Sequence, residues 1–347
     1  MNILVVGPGA IGTAAAASLA KNKYSVYLLG KERHKEHLQN KPLIYHTKNN
    51  TMEEKIIPIV LDDFTTNKLP KFDALLFTLK ANQTLASFEQ LDKYLPKDIP
   101  VFSLQNGLIA EEIYNKTRFK NVIACVISFN VKTDNTCEAT QTSEGEIVIG
   151  KIGTNSTSKG SSKVPLELIE MLSSITKIVV SDNILNEVWL KVMINSTINP
   201  ICAIGNIPLG ELPKNNTSNY LALWIWRELM QVVKAEGMKL DPYMGQLYPE
   251  LLYTYDIISY GIASSIINQL FAPHKDAIVS MLQDVRNKKE TEIDYLNGRI
   301  FEIGQKHNIS MPVNKLIIKT IKEIEKGEKT PSKGLLTKLY RSLILDQ

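Results

Sequence analysis

The sequence predicts an α/β protein, with an N-terminal parallel-sheet domain over residues 1–181 and an all-helical C-terminal domain over residues 182–347. Three observations carry that reading. Short apolar runs of strand length alternate with helical patterns up to about residue 180, as in βαβ units. A glycine-rich turn, Gly7 to Gly12, separates the first apolar run from the first helical one. After Asp182 the strand-like runs give way to long segments with a 3.6-residue apolar period.

Taken in order, Ile3 to Val6 reads as a buried strand, Ile11 to Ala20 as an Ala-rich helix and Ser25 to Leu29 as a second strand. Ile56 to Val60, Ala74 to Leu79, Val101 to Leu104 and Val122 to Ile127 follow as strands, and Glu146 to Ile149 with Lys177 to Val180 closes the sheet. Thr154 to Lys163, rich in Ser, Thr and Gly, is a loop within this domain. The helical half begins near Glu187, uses Gly205 to Pro213 and Pro273 as connections, and places Ser280 to Gly298 on what reads as one long helix.

Composition narrows the function. Forty Lys and Arg against 36 Asp and Glu leave +4, spread along the chain, without the basic stripe of a nucleic-acid protein. Cys125, Cys137 and Cys202 have no Cys-x-x-Cys spacing and read as buried thiols of a reducing, cytoplasmic compartment. Among the histidines, His34 and His37 lie amid Lys and Glu and read as solvated, so no metal site is expected. The uncharged run Asn2 to Ala20 has no basic segment before it and is interrupted by Gly7-Pro8-Gly9, so a signal peptide is not expected. Later uncharged stretches carry Asn, Ser and Pro, so no membrane span is expected. There is no coiled-coil heptad to define an assembly; a homodimer is compatible with the sequence.

Gly7-Pro8-Gly9-Ala10-Ile11-Gly12 is a G-x-G-x-x-G after a strand and at the start of a helix, the context of a Rossmann-type dinucleotide site. The first glycine permits the tight turn, the second lets backbone approach a pyrophosphate, and the third lets helix and strand pack closely, with the helix N-terminus facing the anion. The second strand runs into Gly30-Lys31-Glu32-Arg33. Lys31 and Arg33 favour a 2′-phosphate, hence NADPH/NADP+, whereas Glu32 leaves a ribose hydroxyl, hence NAD, as the alternative. Lys80 and Asn106 follow two further strands, where ligands meet the carboxyl ends of a parallel sheet; singly, each also reads as an ordinary strand-end charge or turn.

Lys191, Asn195 and Asn199 recur at i, i+4 and i+8, drifting by about 80° in all, so they form one polar stripe on an otherwise apolar helix that Pro200 ends or kinks. A solvated face is the plain reading, but asparagines inside an apolar helix point to specific hydrogen bonding. Carbonyl reduction fits the stripe. Hydride arriving at a carbonyl carbon leaves charge on the oxygen, and a lysine ammonium offers both a cation and a proton.

These segments, with Leu79-Lys80-Ala81, Gln105-Asn106-Gly107, Ser280-Met281-Leu282-Gln283-Asp284 and Thr291-Glu292-Ile293-Asp294-Tyr295, resemble those of the ketopantoate reductases over nearly the whole chain. The resemblance implies NADPH-dependent reduction of a small 2-oxo acid, ketopantoate, to pantoate on the way to pantothenate and coenzyme A. It implies that Lys191 is the proton donor, that Asn195 and Asn199 hold the substrate, and that Ser280 meets the carboxylate side. It further places Glu292 at the cofactor end with a catalytic role, Asn106 by the nicotinamide and substrate, Lys80 on the cleft floor, and Glu228 as a partner of the lysine. Ala277 and Leu209 stand where members of the family carry polar substrate contacts, which leaves another branched 2-oxo acid as an alternative substrate. A dinucleotide-binding regulator without turnover is the other alternative; it has no use for the helix stripe.

Overall fold

A computed structural model describes residues 1–66, 68–153, 164–242, 248–253, 257–271 and 276–345. The expected loop 154–163, the connection at Pro273, and His274 lie outside them. The chain divides into two compact units, Met1–Val188 and Trp189–Gln347. The fold class is as the sequence predicts: a parallel-dominated sheet with helices, then a helical unit.

The first unit runs β1 (Asn2–Val6), α1 (Ala10–Lys21), β2 (Ser25–Leu29), α2 (Glu32–Asn40), β3 (Leu43–His46), β4 (Thr51–Glu54), β5 (Ile57–Ile59), β6 (Ala74–Phe77), α3 (Thr84–Leu91), β7 (Val101–Ser103), α4 (Ile109–Lys116), β8 (Val122–Ile127), β9 (Asn130–Asn135), β10 (Glu138–Ser143), β11 (Ile147–Lys151), α5 (Leu166–Ser173) and β12 (Ile178–Val180). Its main sheet has the order β12-β11-β8-β7-β6-β1-β2-β5 and is parallel except where β11 meets β8. The inner strands β1, β6 and β7 are apolar and buried along almost their full length, as strands covered on both faces must be.

A second sheet, β4-β3-β10-β9, is not legible in the sequence. β4 and β9 are short, polar and half-exposed or exposed, so neither an apolar run nor a clean apolar alternation marks them, and β3 is only four residues long. It packs on α1 from the side away from the main sheet. That double cover explains the alanines: Ala14 to Ala17 and Leu19 have no exposed surface, and small side chains let backbone approach on both sides.

The second unit contains most of α6 (Ile184–Gly205), then α7 (Asn216–Ala235), α8 (Ile257–Phe271), α9 (Ser280–Arg286), α10 (Asn297–Lys306), α11 (Pro312–Glu325) and α12 (Lys333–Leu345). Helix α7 is the hub, packed against α8, α10, α11 and α12 through buried residues such as Leu221, Ile225, Leu229 and Val232. Asn215 caps its start, the side-chain oxygen accepting from Thr217 N at 2.9 Å. Tyr340 of α12 stacks on Tyr220 and Trp224 of α7.

Two expectations are corrected. Residues 280–298 are not one helix: α9 stops at Arg286, Lys288 turns through a φ of 52°, and a 3-10 turn over Ile293–Tyr295 leads into α10. The cause is visible in Arg286 to Glu290, five exposed polar residues with no apolar side chain to bury. Nor does Pro200 end its helix, which continues to Gly205. No described helix is long and apolar enough to cross a membrane.

Candidate active site

In the first unit the predicted residues gather at the carboxyl ends of four adjacent strands, β7, β6, β1 and β2. β1 leads into Gly7, β2 into Gly30 and Lys31, β6 into Lys80, and β7 into Asn106. Because β1 has β2 on one side and β6 on the other, the chain order reverses beside the glycine turn, the switch point at which open α/β sheets bind ligands.

The three glycines have three separate reasons. Gly7 has a φ of +109°, and a side chain there would also press on Leu79. At Gly12 a Cβ would lie 1.8 Å from the carbonyl oxygen of Gly7 and 2.6 Å from Thr78 Oγ1, so that approach excludes any side chain. Gly9 differs from both: its backbone is extended and a Cβ would meet nothing within 4 Å. It is the N-cap of α1 and offers no side-chain cap to the first-turn N–H groups. Open space over uncapped donors suits a dinucleotide pyrophosphate, so these residues fit such a cofactor.

The roles of three neighbours escaped the sequence reading. Thr78 Oγ1 donates to the carbonyls of Val6 and Gly7 at 2.9 and 2.8 Å, tying the turn to β6. Gln105 Nε2 donates to Leu79 O at 2.8 Å and to Thr84 Oγ1, joining the end of β7 to the segment after β6. His34 is half-buried, not solvated as expected, and so is His37. His34 Nδ1 accepts from Lys31 N at 3.0 Å, closing the start of α2, and burial together with the charges of Arg33 and Lys31 lowers its pKa. Lys31, Glu32 and Arg33 are exposed around it. Gln105 belongs to a segment that the resemblance marks, but its role, like those of Thr78 at the end of β6 and His34 in the first turn of α2, is recognisable only once the strand ends are brought together.

In the second unit Lys191, Asn195 and Asn199 lie on α6, with Asn199 buried and Lys191 and Asn195 half-buried. Burial pushes the Lys191 pKa down to about 8, and the carboxylate of Glu292, from the segment before the 3-10 turn, opposes that fall. Thus the structure brings Glu292 to Lys191 electrostatically although they are 101 positions apart in sequence. Glu228 is engaged elsewhere: its carboxylate accepts from Val313 N, Asn314 N and Asn314 Nδ2 at 2.7–2.8 Å, capping α11. Ser280 is exposed at the start of α9. Leu209 and Ala277 prove to be neighbours, Leu209 N donating to Ala277 O at 2.9 Å. Among the described residues no group of His, Cys, Asp and Glu could hold a metal ion.

A glycine turn at a switch point, followed by a helical unit carrying a depressed lysine, defines an oxidoreductase of the dinucleotide-binding class. The family described as ketopantoate reductase PanE/ApbA matches residues 3–154, and its C-terminal counterpart matches residues 183–325. The chain belongs to the ketopantoate reductase family. It is 27% identical to the 2-dehydropantoate 2-reductase of Escherichia coli O157:H7 over 344 residues, covering 96% of this chain and 99% of that protein. Among solved structures it is similar to a PanE/ApbA family ketopantoate reductase from Ralstonia eutropha JMP134, with a TM-score of 0.75 and 23% identity over 95% of this chain and 100% of the other. It is also similar to a D-mandelate dehydrogenase solved with NADH and anilino(oxo)acetate, with a TM-score of 0.77 and 22% identity over 94% and 99%.

Proposed function

We propose that the chain reduces the 2-oxo group of ketopantoate to give pantoate, with NADPH as cofactor, in the cytoplasmic route to pantothenate and coenzyme A. The observation that carries this reading is a buried Lys191 whose charge the Glu292 carboxylate favours, on the helix that also bears Asn195 and Asn199, in a family whose members bear that reaction in their names. Residues 1–181 hold the cofactor and 182–347 supply the acid and the substrate contacts. The bound dinucleotide supplies the hydride. The first-turn N–H groups of α1 and the space over Gly9 receive its pyrophosphate, with Pro8, Ala10 and Ile11 shaping the turn between Gly7 and Gly12. Lys31 and Arg33 meet the 2′-phosphate, and Lys80 and Asn106 line the nicotinamide end.

Lys191 Nζ donates a proton to the oxygen on which charge develops, and Glu292 keeps that ammonium protonated near neutral pH. A lysine with a pKa of about 8 holds its proton at pH 7 yet gives it up more readily than one at 10.5. Asn195, Asn199 and Ser280 orient the substrate through hydrogen bonds to its hydroxyl and carboxylate.

A second reading rests on Leu209 and Ala277. These apolar residues are joined by a backbone hydrogen bond where the family resemblance implies polar substrate contacts, so an apolar branch would replace a hydroxyl in the preferred 2-oxo acid. One panel separates the readings: oxidation of NADPH and of NADH with ketopantoate, 2-oxoisovalerate and pyruvate. A kcat/KM for ketopantoate no higher than for the other two acids overturns the first reading, and preference for 2-oxoisovalerate establishes the second.

A further inference from the structure

Pro200 lies inside α6, one residue after Asn199, and has no N–H for the carbonyl four residues back, that of Ser196. Ser196 is buried, and its carbonyl accepts from Asn297 Nδ2 at 2.8 Å, across 101 positions of sequence. The donor that the helix lacks is thus supplied by the first residue of α10.

Why Asn297 presents nitrogen and not oxygen follows from the groups behind it. Glu228, as a carboxylate, can only accept, and it accepts from Val313 N, Asn314 N and Asn314 Nδ2. Asn314 therefore turns its amide nitrogen to Glu228 and its oxygen to Asn297, where Asn297 Nδ2 donates to Asn314 Oδ1 at 2.9 Å. Both hydrogens of the Asn297 amide are then spent, one on Asn314 and one on Ser196. Its own oxygen is buried without a partner among the described residues. Flipping the amide would set that oxygen against two acceptors, so the orphaned oxygen is the cost of delivering both hydrogens. Asn297 and Asn314 have no exposed surface and Glu228 has 6%.

We propose that Asn297 is a positioning residue that substitutes for the missing N–H of Pro200, and that Glu228 through Asn314 fixes its polarity, so that the turn carrying Asn195 and Asn199 keeps its shape. This rests on the reading of those two asparagines as substrate contacts. Helix α6 bears substrate groups on either side of a proline, and the relay holds its backbone there from outside the helix.

The test is a cycle of Asn297→Ala, Pro200→Ala and the double variant, measured on the full chain by thermal unfolding and by kcat/KM for the 2-oxo acid at saturating NADPH. Asn297→Ala is expected to lower kcat/KM about tenfold or more, chiefly through KM for the acid, with the KM for NADPH little moved. Pro200→Ala restores a backbone donor to Ser196 and should rescue the Asn297 loss to within about threefold in the double variant, in Tm as well as in rate. Additive losses would overturn the proposal, because a defect of packing alone is indifferent to a donor at position 200. If Asn297→Ala does not fold, a folded double variant supports the relay and an unfolded one overturns it. A drop in Tm with unchanged kcat/KM removes the positioning role. Should the wild-type chain reduce none of the acids in the panel, the functional reading falls and the positioning claim with it, while rescue in Tm still separates a real relay from no relay.

Discussion

Exchanging Glu292 for Gln isolates the balance that sets the proton donor. Lys191 sits at about 8 because burial lowers it from 10.5 while Glu292 holds it up. With that value the lysine is about 90% protonated at pH 7 and half protonated at pH 8. An opposite charge close to an ionisable group commonly moves its pKa by about one to three pH units, so removing this one should bring the midpoint to about 7 or lower. A fall of one pH unit corresponds to about 1.4 kcal/mol and leaves roughly a tenth of the chains protonated at pH 8, a loss of about fivefold there. At about pH 6 a midpoint of 7 still leaves some 90% protonated, so the two proteins should nearly converge. The assay is kcat/KM for the 2-oxo acid at saturating NADPH over roughly pH 5.5 to 9.5, with Glu292→Gln beside wild type. An alkaline limb that stays in place, or moves up, would refute the assignment of Glu292 as the group that sustains the ammonium; so would a loss equal at every pH.

Three other outcomes are expected. Gly9→Ala, with open space for its methyl, should keep the wild-type Tm of the free protein while weakening NADPH binding tenfold or more, whereas Gly12→Ala, 1.8 Å from a carbonyl oxygen, should lower Tm as well; calorimetric titration and thermal melts read the difference. Replacing Lys31 and Arg33 together by Ala should raise the Kd for NADPH far more than that for NADH, by about tenfold or more, and equal losses would remove the 2′-phosphate assignment. Lys191→Met should abolish turnover yet raise Tm at pH 7: a lysine whose pKa falls on folding disfavours the folded state below about pH 8, and that cost fades between about 8 and 10.5, so the gain in Tm should vanish at high pH.

What was legible in the sequence had a period or a motif. Ile3 to Val6 and Ala74 to Phe77 are continuous apolar runs in a buried parallel sheet, and the glycine turn states its own geometry. The second sheet was silent because Thr51 to Glu54 and Asn130 to Asn135 owe their strand state to pairing across the chain, not to their own apolar pattern. The spacing of Lys191, Asn195 and Asn199 made one thing legible, that they share a helix, and all three do lie on α6. Asn297, Asn314 and Glu228 could not, since their meaning comes from facing one another across three helices and a proline. The supposed helix over 280–298 failed for the opposite reason: a weak local preference over 286–290 had no buried face to sustain it.

The small sheet over α1 also bears on how the chain is made. Strand β3 pairs in parallel with β10, Ile44 opposite Glu138, so the layer that completes the cover of α1 is closed by residues synthesised more than ninety positions after the strand they join. A nascent chain that has emerged only through β7 already holds the glycine turn and four of the strands beside it, but of the layer over α1 it has only β3 and β4, with β9 and β10 still to come. The dinucleotide site should therefore mature late in translation, when β9 and β10 arrive, and chains truncated before Ser143 should be caught by chaperones in place of binding cofactor.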